Sequence, residues 1–276
     1  MTSTLEGLLD PLIRIGRDLR MAGLTLGDNE ARFLVDYYYI VQDDRKRAYQ
    51  QESALNTAEE PHQVITWLAE NSRRIEDSIK GALAAYADGQ PMCQWAQSII
   101  GIGPIISAGL HAHIDVTKSP STSNLWSFAG VNPEAHWERG AKRPWNAGLK
   151  VLAWKAGESF VKTCNHRDSF YGPYYQRWKA EEETMNAAGK FADQAAEKLK
   201  TTRIGKTTEA YKHYSAGFLP PAHVHSRATR KVRKLFLSHW WTVAYEMHYG
   251  QPPSVMPYVV DRLGHKDYVA PPNWPR

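Results

Sequence analysis

The stretch Ile99-Ile100-Gly101-Ile102-Gly103-Pro104-Ile105-Ile106-Ser107-Ala108-Gly109-Leu110 decides how the chain is read. Two glycines and a proline break an apolar run, so it is not one plain helix. A dinucleotide-binding loop would follow a strand and need a third glycine at position 106, where Ile106 stands, and Pro104 interrupts it. A helix-hairpin-helix fits. One short helix ends at about Ile100, Gly101 and Gly103 permit a tight turn with unusual dihedrals, and Pro104 opens the second helix at its first position. Ser107, Ala108 and Gly109 let the helices approach closely, and Ile99, Ile102, Ile105 and Ile106 supply apolar core. The backbone N–H groups of Gly101, Ile102 and Gly103, at the positive end of a helix, suit a phosphate without reading bases. A tight turn with no ligand is the plain alternative, and the basic flank described below favours the first reading.

Working outward, the fold class is mostly α. Asp28 is a suitable N-cap for a helix from Asn29 towards Leu55, with Phe33, Leu34, Tyr37, Ile40, Val41 and Arg45 along it. A second long helix is expected from Pro61. It places Ile65, Leu68, Ile75, Ile79, Ala82 and Tyr86 in a coiled-coil-like seam that Ser72 interrupts and Gly89-Gln90-Pro91 ends. Such a seam pairs within one chain or between two, and the sequence does not choose. Beyond the hairpin, a loop over 118–124 leads to a short helix from Leu125 to Ala129, and an amphipathic helix runs from Ala147 to about Cys164 through Leu149, Leu152, Ala153, Ala156, Phe160 and Val161. Residues 181–212 are polar and read as an exposed helical excursion. The expected organisation is therefore an N-terminal helical region (1–60), a coiled-coil-like helix (61–97), a helix-hairpin-helix domain (98–250) with a polar insertion near 181–212, and a Pro-rich, irregular tail (251–276).

Charge is distributed unevenly. Residues 1–97 carry 10 Lys and Arg against 15 Asp and Glu, whereas residues 98–276 carry 24 against 14. A basic C-terminal portion rich in aromatics favours a polyanionic partner, because cations placed on phosphates release condensed counterions. The chain has no run of eighteen apolar residues and no secretory leader pattern, so no membrane association and a cytoplasmic, nucleoid-associated location are expected. Cys93 and Cys164, the two cysteines, read as ordinary buried thiols.

Three further features bear on chemistry. The loop Trp137-Glu138-Arg139-Gly140-Ala141-Lys142-Arg143-Pro144-Trp145 is basic and aromatic. A helix from about Ser226 to Tyr249 sets Arg227, Arg230, Lys231 and Lys234 on one stripe, opposite an apolar stripe of Val232, Leu235, Phe236, His239, Trp240 and Val243. The cations at this spacing, with no acid between them in sequence, lean towards phosphate contacts. His111 and His113, and likewise His223 and His225, are two residues apart and diverge on a helix, so no metal site is expected at either pair; both read as surface or satisfied histidines. Ser159, in Ala156-Gly157-Glu158-Ser159-Phe160, has no local His or Lys to activate it and by chemistry alone is an ordinary helix serine.

Taken in order, Gly101-Ile102-Gly103-Pro104, Ala108, Leu110, Asp115, Trp126-Ser127-Phe128-Ala129-Gly130-Val131-Asn132-Pro133 and Gly140-Ala141-Lys142-Arg143 form a distinctive string. Together with Leu149 to Ser159, Phe170, Tyr171, Tyr175, Trp178 and Arg227–Trp241, it resembles the C-terminal, serine-bearing domain of the insertion-sequence transposases related to the Piv DNA invertase. The resemblance spans about half the chain. It implies a DNA-binding helix-hairpin-helix, a coiled coil before it, and Ser159 as the counterpart of a serine that attaches to DNA. The family's nuclease domain, built on a strand-borne Asp and further carboxylates, has no counterpart here; Asp36, Asp43 and Asp44 lie on a predicted helix.

The expected function is a DNA-binding, transposase- or recombinase-like protein, with serine-mediated strand transfer at Ser159 if it is active. Gly101, Ile102, Gly103, Arg139, Lys142, Arg143, Arg227, Arg230, Lys231 and Lys234 are its expected DNA-binding residues. Two alternatives stand beside it: an inactive nucleic-acid-binding accessory protein, and a coiled-coil protein-interaction module. No cofactor is identified in the chain, and a divalent metal such as Mg enters only if a partner supplies a carboxylate nuclease. Expected partners are DNA or a structured guide RNA, and a second copy of the chain through residues 61–90.

Overall fold

The computed structural model describes residues 17–60, 62–133, 135–253 and 268–275. Among these the chain is helical, with no strand. Helical residues 17–23 (α1) precede α2 (Asp28–Thr57), α3 (Gln63–Asp88), α4 (Pro91–Gln97) and α5 (Pro104–His113). A 3-10 turn (Val116–Lys118) leads to α6 (Thr122–Phe128), α7 (Ala147–Lys162), α8 (Tyr171–Ala187), α9 (Ala192–Thr201), α10 (Glu209–Ser215) and α11 (Pro221–Tyr249). Packing divides the chain into two compact units, Met1–Ser98 with Ile102–Lys118, and Ile99–Gly101 with Ser119–Arg276. The second helix of the hairpin, α5, thus belongs with the N-terminal helices.

In the first unit α2 and α3 pack along each other and both rest on α5. The cap of α2 falls one residue earlier than the sequence suggests. Glu30 accepts a hydrogen bond from the Gly27 N–H at 2.6 Å, which frees the Asp28 carboxylate to accept one from the Tyr86 hydroxyl at 2.8 Å. The buried face of α2 is also rotated from expectation. Ala31, Val35, Tyr38, Val41 and Ala48 face inward, while Phe33 and Ile40 are 67% and 57% exposed. Close approach is seen between α1 and α3, where a methyl added at Gly23 would lie 2.3 Å from the Ala82 carbonyl oxygen.

The seam of α3 pairs within the chain over its C-terminal half, where Ile79, Ala82 and Tyr86 are buried, and leaves Leu68 and Ile75 exposed. Pro61, expected in its first turn, lies outside the described residues; the cap is His62, whose Nδ1 accepts from the Val64 N–H at 3.3 Å. Glu76 is buried in the α2–α3 interface. Burial alone would raise its carboxyl, but hydrogen bonds from Arg45, Gln42 and Tyr38 hold it below the usual carboxylate range.

The second unit is built around α11, which packs on α6, α7 and α8 and buries Phe236, Trp240 and Trp241 completely or nearly so. The helix begins at Pro221, five residues before its expected start, because Pro at the first helical position suits the chain entering from Pro220. Leu235, expected on the inner stripe, is only half-buried. Residues 181–212 are not a bare excursion. Ala195, Tyr214, Leu219 and Val224 form a small core, with Phe191, Leu199, Ile204 and Ala210 packed against it. Residues 268–275 lack helix, as expected of the tail, yet Pro271 and Pro272 are buried and the Trp274 indole donates to Glu246 at 2.6 Å. Cys93 is buried, which pushes its thiol up to about 12, whereas Cys164 is half-buried. No described helix is long and apolar enough to cross a membrane.

Candidate nucleic-acid interface

The hairpin turn forms as its glycines require at one position and not at the other. Gly101 has φ +101°, a backbone conformation disfavoured for residues with a Cβ, and a methyl there would meet Thr163 Oγ1 at 3.1 Å, Ser159 Oγ at 3.2 Å and Phe160 Cδ1 at 3.3 Å. Gly103 is an extended N-cap at φ −104°, ψ 178°, where an added methyl would meet nothing, so neither an unusual dihedral nor a close approach requires glycine there. Ile102 is buried. Ser159 sits on α7 with its hydroxyl donating to the Gly101 carbonyl oxygen at 2.5 Å. That hydroxyl proton is committed to a carbonyl, and no described His, Lys or carboxylate hydrogen-bonds it. Gly101 is thus covered on one side by α7.

The cations of α11 part into two groups. Arg227 and Lys231, one turn apart, both reach Glu182 of α8: Arg227 Nε at 2.5 Å and Lys231 Nζ at 2.7 Å. The Glu182 side chain is 1% exposed, and burial would raise its carboxyl, but these two partners hold it below the usual range. Arg227 also donates to Gln194 at 2.9 Å and lies 4.2 Å over the Phe191 ring. These two cations of the expected phosphate stripe therefore hold a carboxylate that arrives from a sequence-distant helix.

Arg230 and Lys234 take the other side. The Trp126 indole donates to the Lys234 carbonyl at 3.0 Å, and Lys234 Nζ stands 4.7 Å over the same ring. Lys150 Nζ stands 3.9 Å over Trp145. Gly130, at φ +63°, makes this possible, since a methyl there would lie 2.8 Å from Lys150 Cδ and 2.9 Å from Trp145 Cγ. Arg143 lies 5.1 Å over Trp137, whose indole donates to the Ala141 carbonyl at 2.7 Å and closes the loop. Arg233 crosses α7 at Gly157, where a methyl would lie 2.8 Å from its Cγ. Its Nε donates to the Thr229 carbonyl at 3.2 Å.

Cations dominate the electrostatics of this face. Lys150 is pushed below its ordinary value by burial, and then by the charges of Arg230, Arg233 and Arg143. Arg233 is lowered by burial and by Arg230, with Glu158 opposing, and Arg230 by burial and by Arg227, with Glu182 opposing. None of Arg143, Lys150, Arg230 and Arg233 forms an ion pair with a described acid. Lys150, Arg230 and Arg233 are half-buried and Arg143 is exposed, and like charges held together this way are costly unless an anion arrives. Arg139 and Lys142 are exposed in the loop and make no described ion pair.

Of the expected residues the structure thus brings Arg143 and Arg230 together around Lys150, sets Lys234 over Trp126, diverts Arg227 and Lys231, and sets Gly101 on Ser159. The sequence reading missed Lys150, Arg233, Trp126 and Trp145. Their signals were the glycines at 130 and 157, which make room for two long cationic side chains.

Among the described residues no group of three or more His, Cys, Asp or Glu side chains is placed to hold a metal. His223 and His225 are satisfied, each with Nδ1 3.0 Å from a tyrosine hydroxyl, those of Tyr214 and Tyr175. His113 is not: both ring nitrogens are buried without a hydrogen-bond partner. No protein-family model, curated protein or solved structure matches the chain.

Proposed function

We propose that this protein binds DNA through the basic, tryptophan-lined face formed by the 135–146 loop, α6, α7 and α11. One observation carries the reading: Lys150, Arg230 and Arg233 crowd together half-buried beside the exposed Arg143, and none of the four forms a direct ion pair with a described acid, Glu182 and Glu158 only standing near Arg230 and Arg233. Mutual repulsion is maintained in the free protein, and a row of phosphates relieves it. The ordered string of residues that resembles the insertion-sequence transposases agrees with this partner. Of the two forms of that resemblance, the binding accessory protein is favoured over serine-mediated strand transfer, because the Ser159 hydroxyl donates to a carbonyl and has no base beside it.

The test is a salt titration of binding to a labelled DNA fragment. The logarithm of the affinity falls linearly with the logarithm of salt, and Arg230→Ala/Arg233→Ala weakens binding and flattens the slope by roughly one unit per lost phosphate contact. Binding indifferent to both salt and substitution overturns the reading. A covalent protein–DNA adduct that vanishes in Ser159→Ala would replace the accessory form by strand transfer.

A further inference from the structure

Three tryptophans near the basic face are capped on one side by a cation: Trp126 by Lys234, Trp137 by Arg143 and Trp145 by Lys150. The capping does not hide every ring. Trp137 remains 40% exposed, and Trp154, one helical turn beyond Lys150 on α7, is 49% exposed. Phe128, whose carbonyl accepts from the Asn146 N–H at 2.8 Å where α7 begins, is 40% exposed. Large aromatic surfaces left in water are a cost in a free monomer. Here Trp137 and Trp154 stand beside Arg143 and Lys150, neither of which forms an ion pair with a described acid, which disfavours a neutral apolar partner and favours a chain that offers anionic groups and flat rings by turns.

A DNA duplex offers only half of that. Its phosphates would meet Arg143, Lys150 and Arg230, but its bases are stacked on one another and present edges, not faces, to a protein surface. Unpaired nucleotides expose the faces, and stacking on aromatic side chains is tolerant of sequence.

We propose that this face is a single-stranded DNA site: Arg143, Lys150 and Arg230 take successive phosphates, and the rings of Trp137 and Trp154 stack unpaired bases. The inference rests on the DNA-binding reading above and narrows its substrate. Recognition is then of strand state rather than of sequence, the behaviour required at a melted end, a displaced strand or a gap.

The experiment uses the full chain and four fluorescein-labelled probes: oligo-dT, a mixed-sequence single strand, the duplex of that same strand, and oligo-rU. Anisotropy is read at several salt concentrations. Expected are tighter binding of both DNA single strands than of the duplex, and about tenfold loss of single-strand affinity in Trp154→Ala with duplex affinity unchanged within about twofold; Trp137→Ala also frees Arg143 and weakens both, the single strands more. Both positions are exposed, and circular dichroism confirms that the variants fold. Duplex binding equal to single-strand binding and unmoved by either substitution overturns the strand-state inference while the DNA-binding reading survives. Tighter binding of oligo-rU alone overturns the choice of DNA, and no binding to any probe overturns both.

Discussion

The Ser159 hydroxyl donates to the carbonyl of Gly101 at 2.5 Å, while the α-carbon of Gly101 lies against Ser159, Thr163 and Phe160. The serine and the glycine specify each other. The positive φ of Gly101 turns its carbonyl to the helix, and the serine satisfies it. Ser159→Ala leaves that carbonyl without its side-chain donor and is expected to cost about 1 kcal/mol, with DNA affinity retained. Gly101→Ala adds backbone strain and a methyl at 3.1 to 3.3 Å from three side-chain atoms, and costs about 2 kcal/mol. Urea unfolding of the two variants measures both.

Glu182 is the second test of packing. Its carboxylate is buried between Arg227 and Lys231, so Glu182→Ala strands two cations on α11. Removing one partner of a buried ion pair typically costs about 3 kcal/mol or more. The loss is expected to release α8 through α10 first, visible as proteolysis within residues 181–215 before the rest of the chain is cut. Resistance equal to that of the parent would show that the ion pair is dispensable.

Much of the architecture follows from local signals. Pro104 and Gly101 mark the hairpin, Gly89 and Pro91 end α3, and Leu149 to Phe160 set the inner face of α7, because each acts within a few residues of itself. What escaped depends on distant chain. The inward face of α2 uses Ala31, Val35, Tyr38 and Ala48 in place of Phe33 and Ile40, and which face turns inward depends on α3 and α5, which pack against it. The stripe of α11 looked free of acids because Glu182 lies 45 residues before Arg227. Lys150 and Arg233 are unremarkable in sequence. Only when Gly130 and Gly157 admit their stems do they join Arg143 and Arg230.

Acid sensitivity has two expected limbs. His111 and His113 are lowered mainly by burial; Asp28 faces the first, and Arg32 and Asp36 face the second. His223 is lowered by burial and by Arg227, Lys198 and Arg230. A histidine lowered in the folded state takes up more protons when unfolded, so its contribution is present above the unfolded value of about 6.5 and is lost as pH falls below it. Glu76 and Glu182 are lowered too, and their contribution is lost at more acidic pH, below about 4.3. Thermal unfolding followed from pH 7.5 to about 3.5 should therefore fall in two stages. His113→Gln, which cannot be charged, should flatten the first stage; an unchanged profile would show that His113 does not contribute.

Gly157→Ala separates the face from the fold. The new methyl would lie 2.8 Å from Cγ and 3.0 Å from Cδ of Arg233, both atoms of a flexible stem that swings aside at modest cost. Alanine also favours helix over glycine by roughly 1 kcal/mol, which offsets the crowding. Stability should therefore change little, while the guanidinium leaves its place beside Arg230 and Lys150. With one cation displaced, the self-repulsion of the face falls and so does its hold on phosphate. The expected outcome is a Tm within a few degrees of the parent, together with DNA affinity reduced about five- to tenfold at low salt and a salt slope flatter by about one. Arg233→Met should reproduce the binding loss without the methyl. If Gly157→Ala and Arg233→Met both bind DNA as the parent does, Arg233 is not one of the phosphate-binding cations.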